Sequence, residues 1–297
     1  MNLVFLGTSS GIPTRRRGLS AIALELPSRR ETWLLDCGEG TLHAFTSGHA
    51  NLARLRRVFI THLHGDHIYG LMGVLSSRAL LRLKTPVDVY GPAPLARYIR
   101  VCAETTLRGF GYPVTVHELE PGVAFEEDGW RVRCAHLEHR VTTLGYRIEE
   151  PPRAGRFDLD KARAMAIPEG PIYGRLQAGE TVLLEDGRSV HGADLLGPQR
   201  PGRVVALCTD TTWCPAAVDL ARDADLAVQR KHATASMAAG VAQEAGARQL
   251  YLTHFSPRYE TGSPVTVDGL LAEARAIFSA TDLAEDGLRV PIPARQG

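Results

Sequence analysis

The chain has 297 residues, 44% of them hydrophobic, which is enough to bury a substantial core. Its 34 basic and 33 acidic residues nearly balance, so any binding of nucleic acid must come from local patches rather than a broadly basic surface. No apolar run reaches the roughly 20 residues of a membrane-spanning helix, and the first residues are typical of a buried strand rather than a signal peptide. The five cysteines, an odd number without a CxxC pair, indicate reduced thiols. We therefore expect a soluble, cytoplasmic protein.

Short apolar runs rich in β-branched residues alternate along the chain with segments of helical periodicity. The runs predict strands at residues 3–6, 21–26, 33–35, 57–60, 87–90, 114–117, 130–134, 146–148, 203–208, 225–228 and 249–253. The periodic segments predict helices at residues 68–83, 94–106, 215–221, 234–245 and 265–278. Strands interleaved with this many helices predict a layered α/β fold.

Residues 151–201 interrupt this alternation, because they are rich in glycine, proline and charged side chains. A structureless segment of that length is uncommon inside a compact domain unless it has a function. The composition leaves two interpretations open. The segment is either a surface excursion without a role or an arm that reaches a substrate.

Four potential metal ligands lie in the six residues His62-Leu63-His64-Gly65-Asp66-His67, directly after a predicted strand. Such a cluster suffers repulsion and desolvation unless a cation lies among its members. In extended chain His62 and His64 point to the same side, while Asp66 and His67 follow the turn at Gly65 and can reach a second ion. Imidazole and carboxylate suit zinc best, with manganese and iron as alternatives. Two neighbouring ions are typical of hydrolases that act on phosphate esters.

This HxHxDH segment resembles the signature of the metallo-β-lactamase superfamily, which completes its site with a His, an Asp and a His after later strands. The resemblance implies two Zn²⁺ ions per subunit. It assigns His62, His64 and His139 to one ion, Asp66, His67 and His254 to the other, and Asp210 to both.

Other histidines and one aspartate have weaker claims to be ligands. His136 is a rival to His139, but its spacing to Gly145-Tyr146-Arg147 fits the pattern less well. Asp36 resembles an early Asp of the superfamily, and we expect it to hydrogen-bond behind the metal segment. Surface or packing roles are expected for His43, His49, His117 and His191.

Motifs outside the ligand set narrow the resemblance to one family. They are Phe5-Leu6-Gly7-Thr8-Ser9-Ser10-Gly11-Ile12-Pro13-Thr14, Asp36-Cys37-Gly38-Glu39-Gly40-Thr41, Leu75-Ser76-Ser77-Arg78, Gly109-Phe110-Gly111-Tyr112-Pro113, Gly170-Pro171-Ile172-Tyr173-Gly174 and Leu252-Thr253-His254-Phe255-Ser256-Pro257-Arg258-Tyr259. In order and spacing they resemble the ribonuclease Z family over nearly the whole chain.

The family resemblance implies a zinc-dependent endoribonuclease that removes the 3′ trailer from precursor tRNA by phosphodiester hydrolysis. It implies a four-layer αββα sandwich, with residues 1–297 as a single domain and an inserted tRNA-binding arm at about 151–196. In that arm Lys161, Arg163 and Arg175 are candidate phosphate contacts. Family members commonly form homodimers, in which the arm of one subunit serves the active site of the other.

A second cluster of basic residues lies near the N-terminus. The loop Pro13-Thr14-Arg15-Arg16-Arg17-Gly18 resembles one that the family places close to the cleaved 3′ end, and successive arginines suit phosphate contacts. Gly18 stands where the family commonly has Asn.

The resemblance assigns catalytic roles to two residues. Asp66 would orient the attacking water or accept its proton, and His232 would stabilise the developing charge and donate a proton. In the family a His-Glu-Ala-Thr motif and a helical stretch precede the segment of this histidine, whereas here Gln229-Arg230-Lys231 leads straight to His232. The glutamate that would orient His232 is therefore absent. Either the chain has lost this element, or the sequence joins across residues not represented in it.

Two other functions are compatible with the superfamily signature. One is a phosphodiesterase or sulfatase of the same fold that acts on small esters, and the long segment at 151–201 argues against it. The other is a tRNA-binding paralogue with weakened catalysis, for which the missing glutamate argues. The complete set of seven ligands argues against a weakened site.

Overall fold

The computed structural model describes residues 1–106, 109–208, 210–230, 234–259 and 265–295. The chain forms two compact units. The first comprises Met1–Glu126, Arg131–Ile148 and Val204–Pro293, and the second Glu127–Trp130, Glu149–Arg203 and Ala294–Gly297. Among the described residues, every helix is too short or too polar to cross a lipid bilayer.

Strands and helices alternate along the chain. The strands are β1 (Asn2–Gly7), β2 (Ala21–Leu26), β3 (Glu31–Leu35), β4 (Leu55–Phe59), β5 (Val87–Gly91), β6 (Val114–Glu118), β7 (Gly122–Glu127), β8 (Trp130–His136), β9 (Leu144–Glu149), β10 (Thr181–Leu183), β11 (Ser189–His191), β12 (Val204–Cys208), β13 (Leu226–Arg230), β14 (Leu250–Thr253), β15 (Thr281–Leu283) and β16 (Arg289–Pro291). The α-helices are α1 (Thr41–Thr46), α2 (Gly65–Ile68), α3 (Leu71–Leu80), α4 (Leu95–Thr106), α5 (Leu159–Ala164), α6 (Pro171–Gln177), α7 (Pro215–Ala221), α8 (Ala235–Glu244) and α9 (Val267–Arg275).

Two mixed seven-stranded sheets form the centre of the fold. The first has the order β16-β1-β2-β3-β4-β5-β6 and the second the order β15-β14-β13-β12-β9-β8-β7. In the first sheet β3 to β6 run parallel, and in the second β12 to β15 do so. Helices α1, α3 and α4 pack on the first sheet, and α7, α8 and α9 pack on the second. The predicted αββα arrangement, with helices flanking two sheets, is confirmed.

Strand β1 shows why the apolar runs are continuous rather than alternating. Val4 and Leu6 belong to the core between the first sheet and its helices. Phe5 points the other way, and its ring centroid lies 5.6 Å from that of Tyr251 in the second sheet. Since neighbouring strand residues face opposite sides, a sheet covered on both faces needs apolar side chains at every position.

The two sheets are tied together where the chain leaves β4. The Tyr146 hydroxyl on β9 donates a 2.6 Å hydrogen bond to the carbonyl of Ile60, and Leu144 N–H donates to the carbonyl of Thr61 at 2.8 Å. These carbonyls follow the end of β4 and would otherwise be buried acceptors without a strand partner. The segment that begins at Thr61 is thus held by both sheets.

Most predicted elements are present, with one helix divided. The helix predicted at 68–83 is wrong in extent, because α2 and α3 are separated at Gly70. A Cβ at Gly70 would lie 2.0 Å from the carbonyl oxygen of Gly38, so this glycine allows two backbone segments to touch. The strands at 122–127, 281–283 and 289–291 and the helix at 41–46 were not predicted.

The segment expected to be irregular is folded in the second unit. It contains α5, α6 and the antiparallel pair β10–β11. Its buried side chains form a cluster of their own: Ala162, Ile167, Leu176, Val182, Leu184, Val190 and Leu195. Residues 151–201 therefore contain regular secondary structure that was not predicted. The division into one domain and an inserted arm at 151–196 stays a prediction.

The segment enters and leaves at one place. Glu150 N–H donates to the carbonyl of Arg203 at 2.9 Å, and the Arg203 guanidinium donates through Nε to the Glu150 carboxylate at 2.6 Å. Burial raises the pKa of Glu150, but the hydrogen bonds and charge of Arg203 lower it by a larger amount. The pKa of this carboxyl is therefore below its usual range. This ion pair closes the base of the second unit.

Candidate metal centre

The structure brings all seven predicted ligands together in two groups. The first contains His62, His64, His139 and Asp210, and the second Asp66, His67 and His254. Within each group, one ligand atom of every residue lies within 4.8 Å of those of the others.

Parallel strands place most of these side chains. His62 and His64 follow β4, Asp210 follows β12 and His254 follows β14. Asp66 and His67 lie in the one-turn helix α2 that continues from the same segment as His62, and His139 lies in the loop after β8. Because the carboxyl ends of parallel strands meet at one edge of a sheet, residues far apart in sequence converge there.

The separations between ligand atoms fit tetrahedral zinc. Bonds from zinc to nitrogen of about 2.0–2.1 Å place neighbouring ligand atoms about 3.3–3.4 Å apart. His62 Nε2 lies 3.0 Å from His64 Nδ1, and Asp66 Oδ2 lies 3.5 Å from His67 Nε2. His254 Nε2 lies 3.7 Å from Asp66 Oδ2. The donor set could therefore hold a small cation in each group.

Asp210 lies between the two groups. Its Oδ2 is 3.8 Å from His62 Nε2 and 3.7 Å from His67 Nε2, and its Oδ1 is 3.2 Å from His254 Nε2. One carboxylate therefore reaches ligands of both groups, as the resemblance implied for a bridging residue. The side chains of His62, His67, His254 and Asp210 are at most 2% exposed. At that depth water does not compensate their polar atoms, which favours a bound cation.

Hydrogen bonds from outside the ligand set fix the orientation of the imidazoles. His67 Nδ1 donates to Asp36 at 2.9 Å, and Thr61 donates to the same carboxylate from its N–H at 2.8 Å and from its hydroxyl at 3.1 Å. Ser20 Oγ hydrogen-bonds with His254 Nδ1 at 2.7 Å, and Thr61 Oγ1 with His62 Nδ1 at 3.0 Å. Each bond leaves Nε2 of that histidine directed at the centre. The expected role of Asp36 agrees with these contacts.

Asp66 has its own set of partners. Partial burial raises the pKa of Asp66. A hydrogen bond and charge from His67, the Gly11 N–H at 2.8 Å and the charge of His254 together lower it by a larger amount. The net effect holds the pKa of this carboxyl well below its usual range. Asp66 is therefore ionised at neutral pH, as a group that accepts a proton or binds a cation must be.

Unusual backbone conformations accompany the site. Asp36 and His254 have φ angles of 58° and 61°, in the left-handed region that side chains other than glycine seldom adopt. Gly38 approaches Asp66 so closely that a Cβ would lie 2.4 Å from the Asp66 carbonyl oxygen. The glycine in the Asp36-Cys37-Gly38 motif thus permits the metal segment to lie against this turn.

Some of the candidate site residues lie at the metal centre and others do not. His139 lies beside His62, with ring centroids 5.2 Å apart, whereas His136 is half-exposed and its Nε2 is 3.9 Å from Glu120. His232 lies outside the described residues. Ser20, Thr61 and Gly11 were missed as partners of the ligands, because a lone serine, threonine or glycine carries no recognisable sequence signal.

The predicted phosphate-binding residues are engaged in the fold to different degrees. Arg17 donates through Nη1 to Thr8 Oγ1 and to the Ala284 carbonyl, each at 2.7 Å, and its expected role as a phosphate contact stays a prediction. Lys161 donates to the Asp194 carbonyl at 2.7 Å. In the same unit Arg163 pairs with Glu169 and Arg175 with Glu180, each at 2.9 Å. Arg15 and Arg16 are exposed.

Comparison with known proteins identifies the family. Ribonuclease Z of Acaryochloris marina is 51% identical over 309 residues, which cover 99% of this chain and 98% of that protein. Ribonuclease Z of Nostoc sp. strain PCC 7120 is 50% identical, with 100% and 96% covered. This chain belongs to the ribonuclease Z family. The match to the Acaryochloris ribonuclease Z spans more positions than the 297 residues here, so that relative has residues without a counterpart in this chain.

Two solved structures match the fold over nearly the whole chain, and one family model matches its N-terminal part. The crystal structure of human tRNase Z, short form, matches with a TM-score of 0.69 and 25% identity and covers 99% of this chain and 100% of that one. The metallo-β-lactamase fold protein YhfI from Bacillus subtilis matches with a TM-score of 0.66 and 18% identity, over 97% and 98% of the two chains. The family model for the anti-Pycsar protein Apyc1 matches residues 1–141, less than half of the chain.

The contacts of Asp36 predict the effect of replacing it. In Asp36→Asn the amide has only one acceptor oxygen, so it cannot accept both from Thr61 N–H and from His67 Nδ1, and one of the bonds that orient the metal segment is lost. We expect zinc affinity to fall about 10- to 100-fold, the usual effect of losing such an outer hydrogen bond. Competition with chelators of graded affinity measures it. Asp88→Asn is the matched control, because Asp88 also pairs with a histidine, His117, outside this centre. Equal zinc affinities for the two variants would contradict the prediction.

Proposed function

We propose that this member of the ribonuclease Z family is a zinc-dependent endoribonuclease that removes the 3′ trailer from precursor tRNA by phosphodiester hydrolysis. The supporting observation is a complete two-group ligand set in a chain about half identical to ribonucleases Z over nearly its whole length. The five cysteines are free thiols, which supports a place in the reducing cytoplasm. Cell fractionation would test that location.

The proposed metal content is two Zn²⁺ ions per subunit. His62, His64 and His139 would bind one ion, Asp66, His67 and His254 the other, and Asp210 both. The donor chemistry supports zinc, because imidazole and carboxylate together are its usual ligands. When bound, the two ions lower the pKa of water and offset the negative charge that develops on the phosphoryl oxygens.

Two residues of the chain would handle the protons. Asp66 would orient the attacking water and accept its proton, which its ionised carboxylate beside His67 and His254 supports. The bond from phosphorus to the 3′ oxygen of the tRNA breaks, and His232 would donate a proton to that oxygen. The strand that leads towards His232 is β13, which lies between β12 and β14 in the sheet. Asp210 and His254 follow those two neighbouring strands, which supports a role for His232 at the same edge.

The second unit is the proposed tRNA-binding arm, centred on residues 151–196. The support for RNA binding by this unit comes from those of its basic side chains that are exposed to solvent. Arg163 and Arg175 are more than half exposed although they pair with glutamates, and exposed ion pairs are worth about 0–1 kcal/mol, so phosphates can displace the glutamates. Arg156 is also exposed. A few such contacts suffice for recognition of a folded RNA by shape.

Apolar residues on the surface of the first unit support the proposed homodimer. Leu80 and Leu81, at the end of α3, are 83% and 62% exposed, and Val101 on α4 is 45% exposed. Exposed apolar groups of this kind on adjacent helices are typical of surfaces that a partner covers. A second copy of the chain is the proposed partner.

Replacement of these leucines should separate the subunits. A variant with Leu80→Glu and Leu81→Glu places charge in the proposed interface, and we expect sedimentation equilibrium to give the mass of one chain. The control is Leu183→Glu, because Leu183 is 72% exposed in the second unit and should leave the mass of two chains unchanged. A double variant that still sediments as a dimer would place the interface elsewhere.

Cleavage of precursor tRNA is the central test. We expect the purified protein to release an intact 3′ trailer, a chelator to abolish the reaction and added zinc to restore it. Asp210→Ala removes the carboxylate shared by both groups and should abolish cleavage. Asp219→Ala, at an exposed aspartate on α7, is the control.

The substrates in this assay separate the alternatives. A small phosphodiester that is cleaved while precursor tRNA is not would favour the small-ester hydrolase. Tight tRNA binding without cleavage would indicate the weakened paralogue and implicate the missing glutamate near His232. An acceptor-stem hairpin without the tRNA elbow should be cleaved more slowly than full precursor tRNA if the arm binds there.

His232 has a separate prediction. His232→Ala should slow cleavage by about 10²–10⁴-fold, the usual contribution of one acid–base group, and leave the zinc content unchanged. Single-turnover cleavage and metal analysis of the same preparation measure both. Loss of zinc in this variant would instead make His232 a ligand or a structural residue.

A further inference from the structure

The loop between β1 and β2 touches the candidate metal centre. We name residues 9–18 the arginine loop. Its Gly11 N–H donates to Asp66 Oδ2 at 2.8 Å, as described above. Two backbone hydrogen bonds shape it, from Ser9 N–H to the Gly18 carbonyl and from Thr14 N–H to the Arg17 carbonyl, each at 2.8 Å. The loop therefore has one side against Asp66 and carries Arg15 and Arg16 on its exposed side.

A cavity of about 1290 Å³ lies beside this loop. The arginine loop forms one wall, and Pro257 and Tyr259, shortly after His254, form another. Glu285 and Asp286 near the C-terminus also line it. The predicted metal ligands do not line this cavity, but the arginine loop joins the two sites, because it forms a cavity wall and contacts Asp66 through Gly11. The cavity is large enough for more than a small ester.

One carboxylate holds both ends of the arginine loop. Asp286 Oδ1 accepts a hydrogen bond from the Thr8 hydroxyl at 2.6 Å, and Oδ2 accepts one from Gly18 N–H at 2.6 Å. Thr8 immediately precedes the loop and Gly18 ends it. Asp286 therefore closes the loop at its base, although it lies more than 260 residues away in the sequence.

Arg17 strengthens the same junction. Its Nη1 donates to Thr8 Oγ1 and to the carbonyl of Ala284. Its guanidinium carbon lies 4.6 Å from the ring centroid of Phe255, the residue after His254. Of the three successive arginines, the third thus fixes the loop, whereas the first two are exposed and line the cavity.

We propose that Asp286 is a positioning residue for the RNA substrate. By closing the arginine loop it holds Arg15 and Arg16 at the cavity, where they bind phosphates of the RNA strand next to the cut. This inference rests on the proposed function. The inference predicts the direction in which RNA affinity changes when Asp286 is replaced. A carboxylate beside RNA would by itself repel phosphate, so its removal alone would strengthen binding. Loss of Asp286 should weaken RNA binding only if its positioning effect exceeds that repulsion.

Steady-state kinetics with precursor tRNA test the direction of this change in affinity. We expect Asp286→Ala to raise KM about tenfold, roughly the effect of one lost charge-assisted hydrogen bond to phosphate, with kcat and zinc content changed much less. Asp286→Asn keeps the size of the side chain and can bond to both Gly18 and Thr8, so it should restore most of the affinity. Glu285→Gln removes the neighbouring charge without removing a clamp and should give an equal or lower KM. A lower KM for Asp286→Ala would overturn the proposal.

A double-mutant cycle tests whether Asp286 acts through the arginines. If it does, adding Asp286→Ala to a variant with Arg15→Ala and Arg16→Ala should raise KM little further. Fully additive effects would show that Asp286 acts by another route and would overturn the proposal.

Limited proteolysis gives a readout that needs no catalysis. Trypsin cleaves after arginine, and a loosened loop should release the N-terminal fragment ending at residues 15–17 faster in Asp286→Ala than in the parent or in Glu285→Gln. Mass spectrometry identifies that fragment. Equal rates would overturn the clamp. If the parent protein fails to cleave precursor tRNA, the proposed function fails, and faster tryptic release would still support the clamp alone. If the parent cleaves and the KM of Asp286→Ala is unchanged, the inference alone fails.

Discussion

The hydrogen bonds of a single buried carboxylate organise the site. Asp36 accepts bonds from both polar groups of Thr61 and from His67, and it is completely buried. These bonds set where the chain turns after β4 and which face of His67 is presented. The convergence of ligands from β12 and β14 depends on that turn being in place. A residue in the left-handed region at this position costs about 1–3 kcal/mol, which the surrounding bonds must offset.

The location of the basic residues, rather than the net charge of the chain, decides how much positive charge is available to a ligand. A net charge of +1 gives no general attraction for RNA. Some arginines, such as Arg15 and Arg16, are exposed to solvent, whereas others are buried and donate hydrogen bonds to backbone carbonyls. Arg147, which is buried, donates to the carbonyls of Leu220 and Arg222, and the completely buried Arg78 donates to those of Leu52 and Thr85. Such residues belong to the architecture, so counting basic residues overstates the charge available to a ligand.

The sequence was informative wherever a residue type has a strong chemical preference. The cluster from His62 to His67 predicted a metal centre, because few structural reasons place four such side chains together, and the structure brings them together with the later candidate ligands. The apolar runs predicted the central strands for the same kind of reason. The short edge strands β15 and β16 were not predictable, since three residues carry too little periodicity. The family resemblance selected His139 over His136, because their local sequence alone does not decide between them.

The contacts around the ligands escaped prediction for a different reason. The bond between Ser20 and His254 joins residues that are 234 positions apart, and nothing near either one marks it. Likewise the folded second unit was concealed by its high content of glycine, proline and charge. Its few buried side chains are spread over short elements, and no single element shows a clear apolar face. Tertiary contacts, rather than local preference, decide both features.

The ion pair of Glu150 and Arg203 has an evolutionary consequence. The intervening residues begin and end at neighbouring backbone positions, and their buried side chains form a separate cluster. A segment with these properties tolerates changes of length and sequence better than the sheets that carry the ligands. Selection can therefore alter the proposed tRNA-binding arm and the ligand-bearing sheets at different rates.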